Sequence, residues 1–354
     1  MAGRLSRAQA QQQTRNRVLA AARDEFTERG FRVARVDSIA DRAGLTRGAV
    51  YSNFPGKRAL YFSVLAEAAD RPVEEPPERR TASEALREFA RTWVTGLPFD
   101  LDPRGDARIN QDLLPEIIGD ERLRQTFGQL MKLDALLLGL ALENLRPGRR
   151  LVRVAESALT SLYGASQLVA AAPGFVEPFN VVNACDRLLE LDFDDWWPPS
   201  HSIVRPVPVD EPWSPPPAIN LVTGQPADLD RDGVVTVLGL ERLEAAEDAV
   251  RAGAATTLVI PVDASDERAP LARLVIAEVC TCLREAFPSA AWPTLQVVLD
   301  PSGALAPAVA AAPLAAGGDR VEVAVRIQAG RVVSRAEGRG AGHVAASADT
   351  KVAS

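Results

Sequence analysis

A proline-dense run, "WWPPSHSIVRPVPVDEPWSPPPA" from Trp196 to Ala218, divides this chain more sharply than any other feature. Its 8 prolines in 23 residues remove backbone donors and fix φ, so the segment cannot continue a helix. It is expected to be an extended, polyproline-like linker and a poor core former, with separate domains on either side. At 354 residues the chain is long enough for two or three cores.

Before the run the pattern is helical. From Thr14, the residues Val18, Leu19, Ala22 and Phe26 recur at helical spacing, and Gly30 supplies a stop. Asp37 is placed to cap a short second helix, "SIADRAG", with Ile39 and Ala40 inward and Gly44 providing the positive φ of a tight turn. Thr46 then caps a third helix, with Leu45 and Val50 as a hydrophobic staple. Pro55 falls near the start of a fourth, "GKRALYFSVLAEAAD". Two helices joined by a glycine turn make a helix-turn-helix unit.

After a charged, proline-broken hinge, "RPVEEPPERR", helices resume. Thr81 and Glu84 form a capping box that opens a helix with Leu86, Phe89, Trp93 and Leu97 on one face. Three further long helices follow before Trp196, with a shorter one around "INQDLLPEII". Beyond Ala218 buried-strand runs such as "VVTVLGL", "TTLVIPV" and "LQVVLD" alternate with helices, and "RVEVAVRIQ" and "RVVSRAEG" read as a hairpin. That alternation implies an α/β domain. The tail from about Ala336, rich in Gly, Ala and Ser, is expected to be disordered.

The net charge of -7 conceals an asymmetry. Residues 1–62 carry 12 Arg and Lys against 5 Asp and Glu, a basic head of +7 on a remainder of -14, which is the footprint of a nucleic-acid module. Three cysteines, Cys185, Cys280 and Cys282, cannot build a disulfide framework, and two histidines leave few ligands for a soft metal. No secretory or membrane-spanning run is evident. The expectation is a cytoplasmic protein with no membrane partner, metal or cofactor.

Residues 14–62, in particular "AARDEFTERGF", "VDSIADRAGLTRGAVYSNF" and "FPGKRALY", resemble the DNA-binding domain of the tetracycline-repressor (TetR) family of bacterial transcriptional regulators. The middle helices match that family's ligand-binding and dimerisation region in number and length. The resemblance covers roughly residues 10–195 and leaves the rest unexplained. The resulting division is a helix-turn-helix domain at 10–70, a helical ligand and dimerisation domain at 80–195, a linker at 196–218, an α/β domain at 219–335 and a tail at 336–354.

A recognition helix enters the major groove with its N-terminal residues against base edges. The candidates are Thr46, Arg47, Gly48, Ala49, Tyr51 and Ser52, while Val50 and Phe54 should face the core. Arg47, the only long cation on that helix, suits a bidentate pair with guanine. Gly48 either admits close approach to DNA or is merely tolerated. Tyr51 fits a phosphate contact, as in the family, or plain packing. Lys57, at the start of the fourth helix, reads as a phosphate clamp or a solvated charge. Ser38 and Arg35 are further phosphate candidates, and Arg4, Arg7, Arg15 and Arg17 form either a basic arm or a solvated charge run.

One such helix reads few base pairs, so a homodimer on a near-palindromic operator in double-stranded DNA follows. The resemblance implies a dimer through residues 150–170 and 176–191. Val152, Ala155, Leu159, Leu162, Val182, Leu188 and Leu189 suit either that interface or one chain's core. It also implies repression released by an unknown small-molecule effector, for which Phe89, Trp93, Phe127, Met131 and Tyr163 are candidate lining residues or ordinary core.

The order of elements after Gly233 resembles a thioredoxin-like fold, but the position of that family's redox pair reads "DASDERAPLARL", without cysteine. Cys280 and Cys282, one residue apart on a helix, point to different faces and read as buried structural residues. With no nucleophile beside a base, the chain is not expected to be an enzyme. The alternative is a redox or binding protein whose main activity lies in the α/β domain.

Overall fold

The computed structural model describes residues 6–71, 78–97, 99, 109–196, 204–310 and 318–347. Four helices build the head: α1 (Arg7–Val33), α2 (Val36–Ala43), α3 (Arg47–Tyr51) and α4 (Lys57–Ala69). Ser6 opens α1 with a capping box to Gln9, and Gly30, at φ 74°, breaks its helical path before Val33. The head closes around Phe26, Phe31 and Tyr61. The Tyr61 ring lies 5.5 Å from Phe26 and 4.7 Å from Phe31. Its hydroxyl donates to the Ile109 carbonyl at 2.5 Å, tying the head to the helices beyond.

Those helices are α5 (Ala82–Thr95), α6 (Leu113–Ile118), α7 (Glu121–Leu145), α8 (Val152–Ala171) and α9 (Pro178–Leu188). The Thr81–Glu84 capping box starts α5. At Gly139 on α7 a Cβ would stand 2.8 Å from the Val152 Cα, so the glycine is what lets the start of α8 close onto α7.

The C-terminal part is an α/β region. Its elements run β1 (Val207–Pro212), β2 (Ile219–Asn220), β3 (Gln225–Pro226), β4 (Gly233–Leu238), α10 (Ala246–Arg251), β5 (Thr256–Pro261), α11 (Arg268–Ala286), β6 (Gln296–Asp300), α12 (Ala306–Ala310), β7 (Glu322–Gln328), β8 (Arg331–Glu337) and α13 (Ala341–Ser347). The main sheet has six strands in the order β1-β8-β7-β4-β5-β6. It is mixed: β4, β5 and β6 are parallel, while β7, β8 and β1 are antiparallel to their neighbours.

The two parts expected to be separate share a core. A single hydrophobic cluster runs from Val18 on α1 to Val297 on β6 and takes in the length of α11. This helix lies against α4, α5 and α7, because "PLARLVIAEVCTCLREAF" is apolar on nearly every face and buries all round. The Thr281 hydroxyl donates to the Ala69 carbonyl at 2.8 Å. Arg273 pairs with Asp70 at 3.2 Å, and Arg122 with Asp266 at 3.3 Å. Arg58 bridges Asp120, at 3.0 Å, and Glu267. From α7, Glu143 accepts from Arg251 at 2.6 Å.

Several local expectations differ from the structure. The proline-dense run is not wholly outside the core: β1 pairs antiparallel with β8, and Trp213 is buried with its indole N–H on the Leu229 carbonyl at 2.9 Å. An edge strand tolerates these prolines because half of its backbone donors need no ladder partner. Residues 336–347 are ordered; β8 reaches Glu337, and Ala341, Ala345 and Ala346 of α13 bury against Val234, Ala324 and Ala336. Small side chains there permit close packing, whereas 348–354 lie outside the described residues. Asp37 is not a cap: Arg35 occupies the cap position of α2 without a side-chain hydrogen bond, and Asp37 stands in the first turn. Pro55 does stand near the start of α4, just before its cap Gly56.

Candidate functional site

Gly44, at φ 62°, ends α2 in the left-handed conformation and turns the chain into α3. The Thr46 hydroxyl accepts from the Ala49 amide at 3.2 Å and fixes the start of that helix. Val50 and Phe54 anchor it from beneath, each 2% exposed. With this face committed to the core, Thr46, Arg47, Gly48, Tyr51 and Ser52 are left on the outside, and Ala49 is half-buried. Gly48 presents bare backbone, the nearest atom to an added Cβ being the Thr46 hydroxyl at 3.8 Å.

Arg47 reaches toward Asp37 at 3.4 Å and stands 5.5 Å from the centre of the Tyr51 ring. The Ser52 hydroxyl donates to the Ala49 carbonyl at 2.9 Å and accepts from the Asn53 side-chain amide at 3.4 Å. Arg35 is exposed and Ser38 half-buried on the neighbouring helix. Lys57 is only partly free: its ammonium donates to the Arg32 carbonyl at 3.3 Å and sits 4.5 Å from the centre of the Phe31 ring. Partial burial holds its pKa below the usual lysine range.

Two of the arginines weighed for a basic arm or a solvated charge run make contacts within the head. Arg15 donates to the Asn53 carbonyl at 3.0 Å and covers the Phe54 ring at 4.3 Å, and Arg17 donates to the Ala43 carbonyl at 2.6 Å. Both satisfy carbonyls at the ends of the short helices. Arg4 and the side chain of Arg7 lie outside the described residues.

A cavity of about 200 Å³ opens between α4, α5, α8 and α11 and is lined by Trp93, Leu113, Tyr163, Ser166, Glu278 and Thr281, among others. Of the five proposed effector contacts, Trp93 and Tyr163 reach it. Phe89 is fully buried beside Trp93, 6.3 Å between ring centres, and Phe127 meets the Tyr163 ring edge-on at 5.5 Å. Met131 packs half-buried against the core. None of these three lines the cavity, though Phe89 and Phe127 back the Trp93 and Tyr163 rings.

Glu278, Thr281 and Cys282 also line the cavity and come from the α/β region. Reading the two parts as separate concealed them. The signal was a lone acid in the otherwise apolar run "LVIAEVC".

The seven residues weighed for a dimer face separate by burial. Val152, Ala155, Leu159, Leu162, Val182 and Leu189 are core within one chain, and Leu188 is half-buried. The outer surface instead presents Leu168 on α8, Phe175 in the connecting turn and Phe179 on α9, at 43%, 73% and 77% exposure.

In the α/β region Cys280 and Cys282 are buried, and burial pushes both thiols well above the usual range. A reactive thiol needs the opposite shift. Among the described residues no cluster of His, Cys, Asp and Glu could hold a metal, and no helix is long and apolar enough to cross a membrane.

Residues 18–64, which contain this helix-turn-helix, match the family described as bacterial regulatory proteins, tetR family. The chain is 41% identical over 56 residues to the HTH-type transcriptional activator FasR of Mycolicibacterium smegmatis, covering 16% of this chain and 26% of that protein. It is 46% identical over 55 residues to the HTH-type transcriptional regulator SrpR of Pseudomonas putida, with the same coverage, 16% and 26%. It thus spans about a quarter of the length of these curated relatives. Among solved structures, a TetR transcriptional regulator from Rhodococcus sp. RHA1 aligns over 51% of this chain and 98% of its own at 19% identity, with a TM-score of 0.36. The helical head thus carries, over residues 18–64, a domain that matches the tetR family of bacterial regulatory proteins.

Proposed function

We propose that this protein is a ligand-responsive transcriptional repressor that binds a near-palindromic operator as a homodimer and is released by a small molecule. The observation that carries the reading is α3, a short helix pinned by Thr46, Val50 and Phe54 that turns Arg47, Gly48, Tyr51 and Ser52 outward from a basic head. Arg47 leaves Asp37 to read guanine, the bare backbone at Gly48 lets the helix sit close, and Tyr51, Ser52, Ser38, Arg35 and Lys57 hold phosphates on either side.

The dimer forms through the outer faces of α8 and α9, where Leu168, Phe175 and Phe179 are exposed. The effector enters the cavity beside Trp93 and Tyr163. One wall of that cavity is α4, which also carries Lys57 and closes the head, so an occupant that favours a shifted α4 changes the spacing of two recognition helices. The α/β region is a degenerate thioredoxin-like unit that braces α4 through α11. The alternation from β4 to α13 supports that assignment.

Selection of bound duplexes from a random-sequence pool tests the proposal. Enrichment of a two-fold-related pair of half-sites supports it, and recovery of unrelated sequences contradicts it.

A further inference from the structure

The charged residues that line the cavity are Glu278 and Arg71. Glu278 sits among Val275, Ile276, Ala277, Val279 and Cys280, all buried. Its carboxyl is pushed up to about 7 by burial, with no offsetting hydrogen bond or charge among the described residues. The surface it keeps belongs with its place in the cavity lining. The Tyr163 hydroxyl is buried and has no hydrogen-bond partner among the described residues. Asp134, on α7, is fully buried with both carboxyl oxygens unpartnered among the described residues, and Glu278 adds to the upward shift that burial imposes on it. Arg71 lines the cavity too, but its guanidinium is engaged by Glu285 at 2.9 Å.

Unpartnered carboxyl and hydroxyl groups in a low-dielectric interior are unfavourable unless an occupant supplies what they lack. An anion would meet Glu278 with Asp134 close by. A purely apolar molecule would leave Glu278 and Tyr163 unpaired. A cation with hydrogen-bond donors satisfies both, and the Trp93 and Tyr163 rings, 4.9 Å apart and edge to face, add a π surface that favours positive charge. The remaining lining sets apolar Val64, Leu65, Leu97 and Leu113 beside uncharged polar side chains such as Asn110 and Gln167. A cavity of about 200 Å³ lies below the range of drug-sized sites, so the occupant is small.

We propose that the cavity between α4, α5, α8 and α11 binds a small arylalkylammonium ion, its ammonium on the Glu278 carboxylate and the Tyr163 hydroxyl and its ring against Trp93 and the apolar wall. This rests on the effector reading above and extends it. Three of the lining residues come from α11, so the site exists only where the α/β region docks on the helical part.

The test is calorimetric titration of the full chain with phenethylammonium, phenethyl alcohol and hydrocinnamate at neutral pH. The ammonium is expected to bind about tenfold or more tightly than the alcohol, and the carboxylate more weakly than either. Glu278→Gln should weaken the ammonium by roughly thirtyfold while leaving the alcohol nearly unchanged, and Tyr163→Phe should weaken it by about tenfold. Melting curves check that each variant folds, and Tyr163→Phe serves if Glu278→Gln does not. Equal affinity for the ammonium and the alcohol, or ammonium binding unchanged in the folded variants, overturns the proposal. Selection of DNA by the unliganded protein separates the two readings: an enriched palindrome without ammonium binding defeats this inference alone, and ammonium binding without a palindrome defeats only the regulator reading.

Discussion

Arg47 on α3 and Asp37 on α2 face one another at 3.4 Å, both side chains more than 60% exposed. An exposed, solvent-screened pair of this kind sets only a weak limit, so Arg47 is parked rather than locked. Asp37 also places a negative charge beside the surface proposed to meet DNA. Asp37→Asn is therefore expected to raise DNA affinity by roughly twofold to fivefold, within that limit, measured by fluorescence anisotropy. A loss of affinity would mean that Asp37 orients Arg47 productively.

Lys57 donates to the Arg32 carbonyl and lies over Phe31, so its charge is held at the start of α4 before any DNA arrives. Lys57→Ala should weaken binding evenly across sequences and lower the slope of log affinity against log salt by about 1. A change in which bases are preferred would assign it a different role.

Glu278 links the cavity to stability. Its folded pKa is raised from 4.5 to about 7, so the protonated form favours folding; that contribution is complete below the unfolded value and is lost as pH rises through about 7. Asp134 acts in the same direction. The chain should lose stability between about pH 5 and about pH 8, with Glu278 accounting for on the order of 2–3 kcal/mol of it. Glu278→Gln should flatten the curve and melt above the wild type at the alkaline end. Parallel pH profiles in thermal melts would refute this.

Gly139 and Val152 set the approach of α7 and α8, since an added Cβ would overlap the Val152 backbone at 2.8 Å. Gly139→Ala should destabilise by about 1–3 kcal/mol despite its better helix propensity. A Tm equal to or above that of the wild type in a calorimetric scan would contradict the packing described here.

Much of the head was legible because its signals are local. Gly44, Thr46 and the Val50–Phe54 spacing each specify a short-range geometry, and the chain adopts it. The long-range relationships left no such mark. The apolar face of α11 reads the same whether it covers its own sheet or another part of the chain, so neither the shared core nor the place of Glu278 in the cavity follows from periodicity. The alanines of α13 misled for a related reason: small residues signal disorder when exposed and close packing when buried, and only the partners Val234 and Ala324 decide between them.

The central claim is that α3 reads DNA through Arg47, and the most direct measurement compares base preferences of the wild type and Arg47→Ala selected from the same random duplex pool. The account predicts a near-palindrome for the wild type, with preference relaxed in the variant at one position in each half-site. An identical preference profile for the two proteins, or no enriched palindrome for the wild type, would contradict it.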